Sequence, residues 1–161
     1  MINVAIVGAT GVVGQMFLKV LEEKNLNIDN YVLFASKKSK GKKIKFMNKD
    51  YIVAELTEHS FDNNKFNYAL FSAGASTAEK YAKIAAKNGC VVIDNSSCFR
   101  MDKSVPLVVP QVNMDTAYEN FNIISNPNCS TIQAVLPLKI LDDKYKLKRV
   151  IFSTYQAVSG A

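Results

Sequence analysis

A glycine-spaced turn, Gly8-Ala9-Thr10-Gly11-Val12-Val13-Gly14, joins two runs of different character. Residues 2–7 are short, apolar and rich in β-branched side chains, the pattern of a buried strand. Residues 12–23 place Val13, Phe17, Val20 and Leu21 at helical spacing, with Lys19, Glu22 and Glu23 between them, the pattern of an amphipathic helix. A buried strand that passes through glycines directly into a helix opens a βαβ unit. At such a turn the backbone approaches a phosphate closely, and the helix start offers free N–H groups and a positive dipole end. The spacing is G-x-x-G-x-x-G, a variant of the dinucleotide fingerprint G-x-G-x-x-G. Glycines that serve only the tightness of the turn are the competing reading.

The remaining pattern extends this unit. Apolar, β-rich runs predict strands at 31–35, 51–56, 67–72, 90–94, 122–125 and 147–158. Helices are expected at 78–87, closed by Asn88-Gly89, and at 130–141, where Pro137 should bend or break the helix. Continuous apolar strands alternating with helices imply an α/β fold with a parallel, Rossmann-like sheet and flanking helices. The 161 residues suffice for one sizeable core, or for one domain and a piece of another. The sequence stops directly after a strand-like run, the pattern of a chain cut within a larger protein.

Composition narrows the classes. No apolar run approaches the roughly 18 residues of a membrane span, and the start lacks the basic and apolar segments of a signal peptide. Cys90, Cys98 and Cys129 make an odd count without metal-ligand spacing, which suits a reducing cytoplasm better than a disulfide framework. Net charge is +6, much of it in the run from Lys37 to Lys43. No aromatic interleaving or nucleic-acid motif accompanies that run, so nucleic acid is not the expected partner. Its position suggests another use. A dinucleotide fold selecting NAD carries Asp or Glu at the end of its second strand, for the ribose 2′-hydroxyl. Here that strand ends Phe34-Ala35-Ser36, and lysines follow. Lys38 and the Ser39 hydroxyl would attract a 2′-phosphate, which favours NADP; a solvated basic loop is the alternative. Tyr-x-x-x-Lys of the short-chain reductases and the P-loop pattern G-x-x-x-x-G-K-[ST] are both absent.

Cys129 stands in Asn126-Pro127-Asn128-Cys129-Ser130-Thr131, among polar neighbours and at an expected helix start. Both features lower a thiol pKa and suit a nucleophile, whereas a small buried hydrophobe is the commoner role of a lone cysteine. Arg100, in a loop after the strand ending at Asp94, is placed either to hold a phosphate or carboxylate or to make a surface salt bridge.

These segments together resemble bacterial aspartate-semialdehyde dehydrogenases, along essentially the whole chain and in order: VAIVGATGVVG, SAGAS, DNSSCFRMD, VPLVVPQVN, SNPNCSTIQ and STYQAVSGA. The resemblance implies NADPH-dependent interconversion of L-aspartyl-4-phosphate and L-aspartate 4-semialdehyde, with phosphate released, in aspartate-family amino-acid and diaminopimelate biosynthesis. It implies Cys129 as the nucleophile forming a thioester, Asn128 as its orienting neighbour, Gln156 on the substrate and Arg100 on the phosphate. It implies cofactor contacts from Gly8, Thr10, Gly11, Val12, Val13, Gly14, Lys38, Ser39, Ser72, Gly74, Ser159 and Gly160. It further implies a cofactor domain over 1–127, the truncated start of an α+β catalytic and dimerisation domain over 128–161, a cytoplasmic homodimer at full length, and no metal. Cys98 and Gln111 depart from the family's usual alanine and glutamate. The family's general-base histidine and carboxylate-binding arginine lie in a further half of similar length. The one histidine here, His59, is expected to be a surface residue, and the 161-residue chain alone is expected to be inactive.

Overall fold

The computed structural model describes residues 1–118 and 122–155. Its centre is a sheet of six parallel strands in the order β5-β2-β1-β6-β7-β8. The strands are β1 (Asn3–Val7), β2 (Asn30–Ala35), β5 (Ala54–Glu55), β6 (Tyr68–Phe71), β7 (Val91–Asp94) and β8 (Ile123–Ser125). A separate antiparallel hairpin joins β3 (Lys43–Phe46) to β4 (Lys49–Ile52). The helices are α1 (Val12–Lys24), α2 (Ala75–Lys87), the single turn α3 (Pro110–Asn113) and α4 (Cys129–Tyr145).

Alternation along β1 divides the core. Ala5 and Val7 pack on one face with Ala78, Ala82 and Ala85 of α2. Val4 and Ile6 pack on the other with Leu18 and Leu21 of α1 and Phe46 of the hairpin. The small alanine stripe lets α2 lie close to the sheet, over a cluster of Phe34, Phe61, Phe66 and Phe71. The order of strands reverses at β1: the chain winds outward through β2 to β5, then returns to β6 on β1's other side. That reversal opens a crevice between the carboxyl ends of β1 and β6, the usual ligand position of an open α/β sheet.

Five expectations are corrected. The run 51–56 is not one strand: it splits into the end of β4 and the two-residue β5. Only the last residue of the lysine run, Lys43, enters β3, where Ile44 and Phe46 alternate inward with Lys43 and Lys45 outward. The inward face of α1 is Gly14, Leu18 and Leu21, while Val13 and Val20 are exposed. The helix α4 runs through Pro137 without ending. Both Pro137 and Gln133, whose carbonyl the missing N–H would have engaged, are exposed. The expected strand at 147–158 also fails over its described part: residues 147–155 form no strand and are mostly exposed, and 156–158 lie outside the described residues.

Two glycines of the turn face different tests. A Cβ on Gly14 would lie 2.1 Å from the Gly8 carbonyl oxygen, whereas one on Gly11 would lie 3.4 Å from it. Gly14→Ala is therefore expected to destabilise the chain by about 3 kcal/mol and Gly11→Ala by less than about 1 kcal/mol. Urea unfolding of both variants measures the difference; equal midpoints would contradict the packing described.

Candidate functional site: a dinucleotide cleft and an exposed thiol on one sheet edge

The residue following each of β1, β6, β7 and β8 continues the hydrogen-bond ladder. Gly8 N–H donates to Phe34 O (2.9 Å), Ser72 to Val7 O (2.8 Å), Asn95 to Phe71 O (2.9 Å) and Asn126 to Asp94 O (2.8 Å). The parallel sheet thus aligns the ends of four strands in one row, with Gly8, Ser72, Asn95 and Asn126 side by side. At the strand spacing of roughly 4.8 Å, Gly8 and Asn126 are about 14 Å apart along this edge.

The first half of the row forms a cleft of about 460 Å³, bordered by Gly8, Thr10, Gly11, Ser36, Ser72 and Thr77 among others. Gly8 adopts φ +88°, and a Cβ there would lie 2.2 Å from the Ser72 carbonyl oxygen. Gly11 is the N-cap of α1 and Gly74 that of α2, and neither helix start receives a side-chain hydrogen bond. Two helices therefore begin beside the cleft with unsatisfied first-turn N–H groups and positive dipole ends. Val12 and Val13, at the start of α1, are exposed. This arrangement fits the pyrophosphate of a dinucleotide, which needs close backbone approach and a helix start free of its own cap.

The loop after β2 arranges its polar groups unevenly. Ser36 and Lys37 border the cleft, Lys38 is exposed, and Ser39 is buried beneath the turn. The Thr10 hydroxyl donates to the Ser39 hydroxyl at 3.3 Å, tying the glycine turn to the lysine loop. Lys37 and Ser36 were not singled out by pattern reasoning; their adjacency to the strand end was the available signal.

The second half of the row carries the arginine and the thiol. Asp94 is fully buried and organises its own loop: Ser96 N–H donates to Oδ1 at 3.0 Å and the Ser96 hydroxyl to Oδ2 at 2.7 Å. Ser96 Oγ in turn accepts from Cys98 N–H at 3.1 Å. Arg100 then reaches across two strand ends. Its Nε donates to Asn126 O and its Nη2 to Asn95 O, both at 3.0 Å. Asn126 Nδ2 donates to Asn95 Oδ1 at 2.7 Å, closing the bridge. Both partners of the guanidinium are backbone carbonyls, and no salt bridge of Arg100 occurs among the described residues.

Asn128 is the N-cap of α4: its Oδ1 accepts from Ser130 N–H at 2.9 Å and Thr131 N–H at 3.4 Å. That oxygen is committed to the cap, which leaves the side-chain amide N–H groups for other partners. Cys129 is the first residue of the helix and is exposed. Asn128, Ser130 and Thr131 also border a cavity of about 350 Å³ with Phe152 and Thr154. Gln156, Ser159 and Gly160 lie outside the described residues. His59 is exposed, pairs with Asp62 at 3.0 Å, and lies just after β5, at the opposite margin of the sheet from β8. Among the described residues no cluster of metal-ligating side chains occurs and no helix is long and apolar enough to cross a membrane.

Fold and cleft together define a Rossmann-type dinucleotide-binding protein. Residues 3–120 match the family model described as semialdehyde dehydrogenase, NAD binding domain, and the chain belongs to that family. It is 56% identical over 162 aligned residues to aspartate-semialdehyde dehydrogenase of Aquifex aeolicus, covering 99% of this chain and 47% of that protein. The crystal structure of aspartate semialdehyde dehydrogenase II of Vibrio cholerae, complexed with ASA, superposes with a TM-score of 0.82 at 48% identity, over 88% of this chain and 46% of that one. The Candida albicans aspartate semialdehyde dehydrogenase, solved with NADP, gives a TM-score of 0.73 at 28% identity, over 91% of this chain and 48% of that one. The chain thus spans about half the length of these relatives.

The three cysteines differ in setting. Cys90 is buried in the core, and burial pushes its thiol up to about 12. Cys98 is half-buried, and its thiol is raised first by desolvation and then by Asp94. Cys129 is exposed. Iodoacetamide at neutral pH is expected to modify Cys129 first and Cys90 last, as read by peptide mass spectrometry over time. Modification of Cys90 ahead of Cys129 would contradict the assignment of the thiol.

Proposed function

We propose that this chain is the cofactor-binding and thiol-bearing part of an NADP-dependent aspartate-semialdehyde dehydrogenase, interconverting L-aspartyl-4-phosphate and L-aspartate 4-semialdehyde. The observation that carries this reading is the row of strand ends. A dinucleotide cleft, an arginine held by two backbone carbonyls and an exposed helix-start cysteine all stand along one sheet edge.

Each residue then has a task. The N–H groups at the starts of α1 and α2 hold the pyrophosphate, and Gly8 and Gly14 allow the close backbone packing that brings them there. Ser36, Lys37 and Lys38, with Ser39 behind them, face the adenosine-side phosphate, and β2 itself supplies no carboxylate to repel it. The nicotinamide, when bound, accepts or supplies a hydride. Cys129 attacks the acyl carbon of L-aspartyl-4-phosphate, forming the C–S bond as the C–O bond to the departing phosphate breaks, and holds the acyl group as a thioester. Asn128, through its free amide, orients that species. Arg100 is pre-set by two carbonyls to bind the phosphate. Residues 1–127 form the cofactor domain, and 128 onward begins the catalytic and dimerisation domain. The absence of any buried residue in α4 supports that boundary, because a helix belonging to the first core would bury a face.

A second reading, a dinucleotide-binding module without turnover, is favoured by His59. Acid–base catalysis contributes typically about 10²–10⁴-fold, and the chain's one histidine is at the far margin of the sheet. Five strand steps separate β5 from β8, about 24 Å. The 161-residue chain is therefore expected to bind cofactor and to show no Cys129-dependent reduction of NADP⁺ with semialdehyde and phosphate. A robust rate lost in Cys129→Ala would mean that another group here moves the proton.

Calorimetric titration is expected to show tighter binding of NADPH than of NADH. Ser39→Asp should weaken NADPH selectively, by placing a negative charge beneath the lysine loop. Equal affinities for the two cofactors in the unsubstituted chain would overturn the NADP reading.

A further inference from the structure

The second strand lacks the carboxylate of an NAD-selecting fold, but the sheet register brings one to almost the same place. Ala35, the last residue of β2, pairs with Glu55 of β5. Paired residues of neighbouring parallel strands project to the same face. Glu55 therefore projects on the side of Ala35, a residue that borders the cleft. A carboxylate thus stands one strand, roughly 4.8 Å, from where an NAD-selecting fold carries its own.

That charge has a dedicated counterion. Lys40 Nζ lies 3.3 Å from Glu55 Oε2, with the lysine side chain 63% exposed and the glutamate side chain 26% exposed. The backbone holds Lys40 in position. Ser39 N–H donates to Ser36 O and Lys40 N–H to Lys37 O, which forms a tight turn. Gly41, at φ +82°, then donates to Val53 O, and Val53 N–H donates back to Lys42 O. The loop is thereby stitched to the residues leading into β5, beside Glu55. A pair this exposed contributes little to stability, so its consequence is electrostatic and local.

We propose that Lys40 is a specificity-determining positioning residue: by neutralising Glu55, it keeps the end of the sheet open to a cofactor carrying a 2′-phosphate. This rests on the NADP reading above. Without Lys40, Glu55 would repel a 2′-phosphate and leave a 2′-hydroxyl unaffected or favoured. Lys37 and Lys38 attract the phosphate directly, whereas Lys40 acts only through Glu55.

The test is a charge cycle on the full 161-residue chain, with NADPH and NADH titrated separately at low salt. Lys40→Met is expected to lower the NADPH:NADH affinity ratio roughly tenfold, the scale of one unmasked charge near a partly screened phosphate. The loss should shrink as salt is raised. Lys40→Arg should keep the ratio, and the double variant Lys40→Met with Glu55→Gln should restore it, which no merely structural role of Lys40 explains. A double variant as impaired as Lys40→Met would overturn the inference, because Lys40 would then touch the phosphate itself. An NADPH:NADH ratio left unchanged by Lys40→Met would overturn this inference alone; equal affinities in the unsubstituted chain would overturn it together with the NADP reading.

Discussion

The contact between Gly8 and the carbonyl of Ser72 determines the rest of the molecule. Space for a side chain is absent there, since a Cβ would lie 2.2 Å from that oxygen, and the backbone takes φ +88°. The same residue's carbonyl lies against Gly14 of α1. One peptide unit thus sets how closely β6 approaches β1 and how deeply α1 seats on the turn. Because β6 lies beside β1 rather than beyond β2, the crevice opens at this point. Because α1 is seated by Gly14, its first-turn N–H groups stand at the crevice mouth. The cleft is therefore a by-product of close packing rather than of a dedicated loop.

The parallel sheet transmits that placement sideways. A ladder of single hydrogen bonds carries the register from Gly8 through Ser72 and Asn95 to Asn126. Arg100 then reinforces the end of the ladder by spanning the Asn95 and Asn126 carbonyls. Those two carbonyls orient the guanidinium but do not cancel its charge, so its remaining N–H groups and its field are available to an anion. Buried Asp94 fixes the loop that delivers Arg100, by accepting from Ser96 backbone and hydroxyl. The motif Asp94-Asn95-Ser96 is thus mechanical: each side chain positions another group.

Much of this was legible in the sequence because strands and glycines leave strong local marks. Each main-sheet strand beyond the short β5 coincides with a largely apolar run, since a parallel sheet is covered on both faces and cannot alternate. Where burial is one-sided or partial, local pattern was ambiguous. In α1 apolar residues occur all round, at Val12, Val13, Met16, Phe17, Leu18, Val20 and Leu21, so spacing alone does not identify the inward face; the fit of Gly14 against Gly8 does. The hairpin was hidden by its lysines, although Lys43-Ile44-Lys45-Phe46 alternates as a half-buried strand must. Its turn, Met47-Asn48, has φ +50° and +58°, a geometry that glycine would have advertised and asparagine marks only faintly. The Lys40–Glu55 pair could not be read at all, because it depends on the register of β5 against β2.

Residues 147–155 show the limit of pattern most plainly. They read as a strand, but a strand needs a partner for its backbone groups and a surface for its apolar face. Ile151 is 80% exposed and Phe152 56% exposed, and neither finds such a surface on this sheet. The six strands already use the space between β5 and β8, and beyond β8 the segment 106–108 pairs with Ser125, which donates to Pro106 O and accepts from Val108 N–H. In α4 itself Ile140 and Leu141 are likewise exposed, so helix and following segment share the property of carrying apolar surface that the first core does not bury. The division between the two proposed units therefore falls where burial stops, just after β8. Cys129 stands just after β8, at the start of α4, where the Asn128 cap ties the helix start to the end of the sheet.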